Sequence, residues 1–251
     1  MVNRDEIIEF LDKYLEKSAF QDSLPIGLMV EGRVEVLKAA TGVSACLELF
    51  EQAAGWGADM VLVHHGMFWD KSDRVIRGAL KKRLKFLLDH DITLVGYHLP
   101  LDAHPEIGNN ILFARAMGFE HPESFGDYHG KLIGFKGAIQ PVPIEDFVEK
   151  AAAFYGTRPT AFLSGKPVIA SAAVASGGAW EFLADAARER VDCYVTGNAD
   201  EPVPHLAREL GVHFLSFGHY ATERVGIRRL GEVLAQEMGV ETRFFDVDNP
   251  L

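Results

Sequence analysis

The chain repeats itself, and the repeat is what most limits its architecture. Val36–Gly66, "VLKAATGVSACLELFEQAAGWGADMVLVHHG", lies over Val168–Ala199, "VIASAAVASGGAWEFLADAARERVDCYVTGNA", at an offset of 133 positions. Gly32 then falls on Gly165, Val36 on Ile169, Leu49 on Phe182, Ala53 and Ala54 on Ala186 and Ala187, and Asp59 on Asp192. Each copy reads as a short apolar strand, a small-residue turn, an amphipathic helix and a second strand that ends in polar residues. A second match, at 121 positions, sets "TLVGYHLPLD" (Thr93–Asp102) on "FLSFGHYATE" (Phe214–Glu223), so that His98 meets His219 and Asp102 meets Glu223. The same offset carries Met117-Gly118 onto Met238-Gly239, the glycine stops of two helical stretches. Any two α/β units share apolar periodicity, but a histidine followed four residues later by a carboxylate is not something a core pattern reproduces. The drop in offset, from 133 to 121, asks for a twelve-residue shortening of the second copy opposite "FWDKSDRVIRGALKKRLKFLL".

The expected fold is therefore α/β, built of two similar repeats, residues 1–125 and 126–251, packed together around a shared site. Each half opens with an amphipathic helix, "RDEIIEFLDKYLEK" in the first and "IEDFVEKAAAFYG" after Pro141 and Pro143 in the second. They join near "ESFGDYHGKLIGFKGAIQPVP" without a Gly/Ser linker, which predicts tight packing instead of swinging. The run Met60–Val63, apolar on both faces and followed by glycine, is typical of a buried parallel strand.

Composition excludes several classes of function. Lys+Arg 25 against Asp+Glu 36 gives a net charge of -11, which argues against a duplex nucleic-acid partner because phosphate neutralisation needs a basic surface. The two cysteines, Cys46 and Cys193, lie in apolar stretches and read as small buried hydrophobes. No apolar run approaches the ~20 residues of a membrane span, and the acidic, amphipathic start is unlike a signal sequence, so a cytoplasmic location is expected.

Position sorts the ten histidines. His90, His121, His129, His205 and His213 lie beside polar neighbours and read as solvated, and His104 sits ambiguously in "DAHPEIGNN". His64, His65, His98 and His219 each follow directly on an apolar strand-like run, at the end of the sheet where open α/β folds keep their ligands. Asp102 and Glu223 stand four residues beyond a histidine. Imidazole nitrogen with carboxylate oxygen, and no thiolate, is ligand chemistry for zinc, manganese, iron or cobalt. Five such ligands exceed what one tetrahedral ion uses and suit two ions about 3.5–4 Å apart. Successive side chains of a strand point to opposite faces, so the adjacent pair predicts that the strand has ended by His65, with Gly66 allowing the break.

The stretches "VLVHHGMFW", "YHLPLDAHPEIGNN" and "FGHYATERVGIRRL", with a weaker "DSLPIGLMVEG", resemble the NGG-interacting-factor-three-like proteins, also named GTP cyclohydrolase I type 2 homologues. That resemblance implies two intertwined α/β repeats with mixed, mostly parallel sheets, assembled as a toroidal homohexamer with two divalent metal ions per subunit facing the ring's interior. It makes His64, His65, Asp102, His219 and Glu223 the metal ligands, with Glu223 the bridge. Two positions depart from the family pattern, Tyr220 where a second histidine is frequent and Asn198 where a glutamate follows "TG"; neither belongs to the ligand set, so they bear on the site's surroundings and on substrate choice.

The leading functional expectation is a metal-dependent hydrolase of a small, nucleotide-like substrate, cyclohydrolase-like by resemblance. His98 is read as a sixth ligand, a proton shuttle or a partner orienting a ligand. The alternative is a non-catalytic metal-binding ring scaffold or metallochaperone-like module. A DNA clamp, suggested by a ring, sits poorly with the net charge of -11.

Overall fold

A computed structural model describes residues 1–73 and 75–251. The chain forms two compact units, Met1–Leu101 with Gly226–Asp248, and Asp102–Val225 with Asn249–Leu251. These units are drawn differently from the halves 1–125 and 126–251. The helix Asn109–Met117 belongs to the second unit because Ile111, Phe113, Ala114 and Met117 pack with Phe147 and Tyr155 in its core. The strand Glu241–Phe244 belongs to the first because it pairs in parallel with Lys38–Ser44.

In the first unit a five-stranded sheet runs in the order Glu241–Phe244, Lys38–Ser44, Met60–His65, Thr93–Gly96, Gly27–Val30; only the last strand is antiparallel to its neighbour. The helices Leu47–Trp56 and Gly78–Asp89 connect the parallel strands, and Gly57 ends the first of them at φ +80°, a left-handed conformation that glycine adopts without a Cβ clash. Leu49, Phe50 and Ala53 of that helix pack with Ala40, Val61, Val63 and Leu94 of the sheet.

The second unit's sheet runs Glu120–Tyr128, Lys131–Pro143, Val168–Val174, Cys193–Thr196, His213–Ser216, Thr160–Phe162, its middle three strands after the hairpin being parallel. Alternate residues feed two cores. Ala172, Val174, Cys193 and Val195 join one cluster, while Ala173, Ala175 and Tyr194 join the other. Both faces are covered, so these strands read as continuous apolar runs. The segment taken from sequence as a simple junction is a β-hairpin, Glu120–Tyr128 with Lys131–Pro143, turning at His129 and Gly130, both at positive φ.

The repeat is present at the level of topology and of hydrogen bonds. Lys38–Ser44, Met60–His65, Thr93–Gly96 and Gly27–Val30 have the same order and directions as Val168–Val174, Cys193–Thr196, His213–Ser216 and Thr160–Phe162. The cross-strand pair Ala39 with Met60 becomes Ala172 with Cys193, again 133 positions on. The next strand, however, registers 120 positions on, Leu94 matching Phe214, and the offset of 121 holds only after the additional residue Gly218 at φ +94°. Asp59 accepts from Arg33 at 2.9 Å and from the Leu37 and Lys38 amides at 2.8 and 3.0 Å. Asp192 accepts from Lys166 at 3.0 Å, the Ala170 amide at 2.9 Å and Ser171 Oγ at 3.2 Å, the same three positions shifted by 133. A Cβ on Gly32 would meet the backbone of Ile92 and Thr93 within 2.5 Å, and one on Gly165 the His213 ring within 2.8 Å. His213, expected to be solvated, is therefore buried, with Nε2 2.7 Å from the Lys166 carbonyl; its strand position, not its polar neighbours, decides its burial.

Burial pushes the Asp192 carboxyl up, but the Ala170 amide, Lys166 and Ser171 outweigh it and hold it below the ordinary carboxylate range. A lowered folded pKa contributes stability above the unfolded value, about 3.9, and loses it as pH falls through the folded one. Asp192→Asn is expected to lower the unfolding free energy by about 1–3 kcal/mol at pH 7. In urea titrations the gap to wild type should narrow once the pH is taken below about 4.

Candidate metal centre

The first unit brings His64, His65 and His98 together. Their ligand atoms all lie within 4.8 Å of one another, and the ring centroids are 4.7 Å (His64 to His65), 5.0 Å (His64 to His98) and 5.5 Å (His65 to His98) apart. The strand Met60–His65 contains both adjacent histidines, so it does not end before them as the sequence suggests. The ladder ends on one side only. Lys38–Ser44 still pairs as far as Ser44 with His65, while Thr93–Gly96 pairs no further than Gly96 with Val63. Gly66 instead makes room for Met29, whose methyl carbon would lie 2.2 Å from a Cβ there and would have to shift.

Each of the three rings is oriented through Nδ1. His64 Nδ1 stands 3.0 Å from the Tyr97 carbonyl, which can only accept, so this nitrogen carries the proton and Nε2 is the ligand atom. Tyr97 is itself anchored, its phenol donating to Asp12 at 2.6 Å; burial and the nearby Asp12 carboxylate push that phenol up and keep it a neutral donor. His65 Nδ1 lies 3.3 Å from Ser44 Oγ. His98 donates from Nδ1 to both oxygens of Asp22, at 3.0 and 3.1 Å. The Asp22 side chain is fully buried and also accepts the Leu99 amide at 3.1 Å. Burial raises its carboxyl, yet the His98 hydrogen bond and charge, with the Leu99 and Ser23 amides, hold it below the usual carboxylate range. The half-buried Trp69 ring stands edge-on to His98, with centroids 5.5 Å apart, and 5.8 Å from His65.

In the second unit His219 opens the helix His219–Met238, and Glu223 follows one turn later with Oε1 3.2 Å from His219 Nε2. Gly177, at φ +66°, packs directly against this pair: a Cβ there would fall 2.2 Å from Glu223 Oε1 and 3.0 Å from His219 Nε2. The loop is held by the Gly177 amide on Thr222 Oγ1 at 3.0 Å and by the Gly177 carbonyl, which accepts the amides of Gly197 and Asn198 at 2.9 and 3.0 Å. Asp102 lies in the short helix Leu99–Ala103, and its Oδ1 accepts from Asn109 Nδ2 at 2.8 Å and Ser176 Oγ at 2.9 Å. Asn110 ties the Ser176 amide (2.7 Å) to the Ile133 carbonyl (2.8 Å), which fixes the loop that carries Ser176. Asp102, His219 and Glu223 are members of groups of His, Asp and Glu that could hold an ion. Asp102 and Glu223 are 4% and 2% exposed, and carboxylates this deeply buried require hydrogen-bonded or cationic company.

Asp22, Asn109, Asn110, Ser176 and Gly177 were not singled out from sequence. Asp22 had one legible signal, its place in "DSLPIGLMVEG", and Asn109 and Asn110 had theirs at the end of "YHLPLDAHPEIGNN"; Ser176 and Gly177 had none, and Ser176 meets Asp102 across 74 residues of chain. Of the two family departures, Tyr220 is buried and Asn198 places its side-chain nitrogen 3.8 Å from where a Gly178 Cβ would stand.

A family model described as Duf34/NIF3 (NGG1p interacting factor 3) matches residues 2–250. The chain belongs to this family. A Chlamydia trachomatis relative named "GTP cyclohydrolase 1 type 2 homolog" is 42% identical over 252 residues, covering 99% of this chain and 100% of the relative. A solved structure described as "protein ybgI, unknown function" superposes with a TM-score of 0.94 at 39% identity, and the protein TTHA1606 from Thermus thermophilus with 0.92 at 31%, each match covering 100% of both chains. The mixed α/β fold is thus the NIF3 architecture; the first unit's sheet is mostly parallel as expected, whereas the second unit's sheet is not, its flanking strands Glu120–Tyr128, Lys131–Pro143 and Thr160–Phe162 pairing antiparallel. No helix among the described residues is long and apolar enough to cross a membrane.

Proposed function

We propose that this NIF3-family chain binds two divalent ions through His64, His65, Asp102, His219 and Glu223, with Glu223 as the bridge, and uses them to hydrolyse a small molecule. The observation that carries the reading is the donor set itself: oriented imidazoles in one unit and deeply buried carboxylates beside a glycine cradle in the other. The nitrogen and oxygen donors fit zinc, manganese, iron or cobalt. When bound, two such ions act as Lewis acids and lower the pKa of water to near neutrality. Asp102 is held in one rotamer by Asn109 and Ser176, and His64 in one tautomer by Tyr97, so the protein's part is to fix the donors in advance. The relatives' naming supports a nucleotide substrate. A cytoplasmic homohexamer with a toroidal shape, its sites facing the ring interior, completes the proposal, and light scattering on purified protein tests the assembly.

Metal analysis of protein purified without chelator, then a screen of phosphoesters and purine nucleotides with the metals found, tests the function. Two ions per chain and a turnover that Asp102→Asn reduces at least a hundredfold are expected. Two ions with no turnover on any nucleotide or phosphoester would favour the metal-binding scaffold, and fewer than two would overturn the dinuclear reading.

A further inference from the structure

We infer that the segment 71–89 of the first unit is a peripheral membrane contact, a surface helix and the loop before it that dock on an anionic phospholipid bilayer. The inference is independent of any metal chemistry. It starts from a charge imbalance. Residues 71–89 hold seven of the chain's 25 Lys and Arg but two of its 36 Asp and Glu, a net of +5 in a chain of -11. The fold does not ask for these charges. The matching connection of the second unit, residues 197–212 between the strands Cys193–Thr196 and His213–Ser216, sets Arg208 alone against Asp200, Glu201 and Glu209, and its helix Val203–Leu210 packs through Val203 and Ala207.

The helix Gly78–Asp89 packs side-on against its own unit. Leu80, Leu84 and Leu87 meet the apolar core, so the opposite face, with Lys81, Lys85 and Leu88 at i, i+4 and i+7, points to solvent together with Lys82. Lys71, Lys81, Lys82 and Arg83 have no carboxylate partner among the described residues. Arg77 and Lys85 pair with Asp73 and Asp89 at 2.6 Å, but both pairs are exposed and screened by water. Leu88, Ile76 and Val75 are 63%, 60% and 59% exposed, and apart from Met1 and Leu251 no other large apolar side chain among the described residues is as open to solvent. One exposed leucine needs no explanation, whereas three such side chains flanking a run of lysines do.

Cations along one helix face with apolar side chains beside them are what an interfacial helix presents to a bilayer: the ammonium groups meet lipid phosphates, and the apolar ends enter the boundary of the acyl region. A nucleic acid would use the charges and leave Val75, Ile76 and Leu88 in water. The helix's one aromatic ring, Phe86, is half-buried and stacked on His90 at 4.1 Å, so it is not open to a base.

The test is flotation of the full chain with vesicles of phosphatidylcholine alone and of phosphatidylcholine with about one third phosphatidylglycerol. Binding to the anionic vesicles and little to the neutral ones is expected, and salt at about 1 M, which screens charges beyond about 3 Å, should release most of it. Lys81→Gln, Lys82→Gln and Lys85→Gln together should weaken binding at least tenfold. Ile76→Ser with Leu88→Ser should also weaken it at least tenfold but leave its salt dependence, which separates insertion from charge attraction alone. All five positions are exposed, so neither variant should shift the thermal midpoint. Wild type that floats with neither vesicle, or equally with both, overturns the inference, and this comparison decides even if a variant fails to fold. Retention on a single-stranded polynucleotide that the lysine variant loses, with no vesicle binding, would give the patch to nucleic acid instead. Dissociation of an oligomer by the Ile76→Ser, Leu88→Ser variant in light scattering would show this face to be a contact between copies and would likewise overturn the inference.

Discussion

If the protein binds metal as proposed, Gly177→Ala is expected to strip it of most of that metal while leaving it folded. The added Cβ would stand 2.2 Å from Glu223 Oε1 and 3.0 Å from His219 Nε2, so both side chains must move. Moving them is sterically cheap, because each is the far end of a side chain. The displaced atoms are the proposed donors, however, and a ligand pushed off its position by an ångström no longer closes the coordination geometry. The backbone adds a penalty of about 1–2 kcal/mol, since Gly177 sits at φ +66°, where an L-residue brings its Cβ against the following carbonyl. A modest drop in the metal-free midpoint and at least a tenfold loss of metal affinity should therefore appear together. Gly178→Ala is the internal comparison. There the nearest atoms would be 3.6 Å away in the His219 ring, ordinary contact, and no positive φ is involved. Isothermal titration of both variants with the native metal separates the two effects; equal affinities in the two variants would show that the cradle does not shape the site.

That comparison also marks where sequence was sufficient and where it was not. His64, His65, His98 and His219 were legible because each stands at or just beyond the end of an apolar strand-like run. Asp59 and Asp192 were matched by the repeat, and the structure gives both the same hydrogen-bonding task. Gly177 was hidden because "SGG" is equally the signature of an ordinary turn, and its reason lies in Glu223, 46 positions away. Asp22 was hidden in an irregular loop whose bond to His98 spans 76 residues. The adjacent histidines were misplaced relative to the strand's end because a ladder can stop on one side and continue on the other, a property of pairing that no single strand's sequence encodes. Similarly, the hairpin Glu120–Tyr128 with Lys131–Pro143 contains prolines that weaken a strand pattern, and Pro122 is accommodated because Glu120–Tyr128 is an edge strand.

Glu223→Gln is expected to remove at least one ion per chain with little change of fold. A carboxylate can give one oxygen to each of two ions, which an imidazole cannot, so it is the group best able to hold such a pair. Two dications about 4 Å apart repel strongly wherever the effective dielectric is below that of water. Glutamine keeps the length and one carbonyl oxygen but removes the charge that offsets this repulsion, and Glu223 is 2% exposed, so solvent supplies little replacement screening. The fold should tolerate the change, because the surrounding sheet is held by two apolar clusters independent of this side chain. The neighbouring ring nitrogen at 3.2 Å, His219 Nε2, can also meet an amide, which offers both a donor and an acceptor. Elemental analysis beside wild type gives the answer. Retention of two ions would remove Glu223 as the bridge, and an aggregating variant would make its carboxylate a structural element of the second unit.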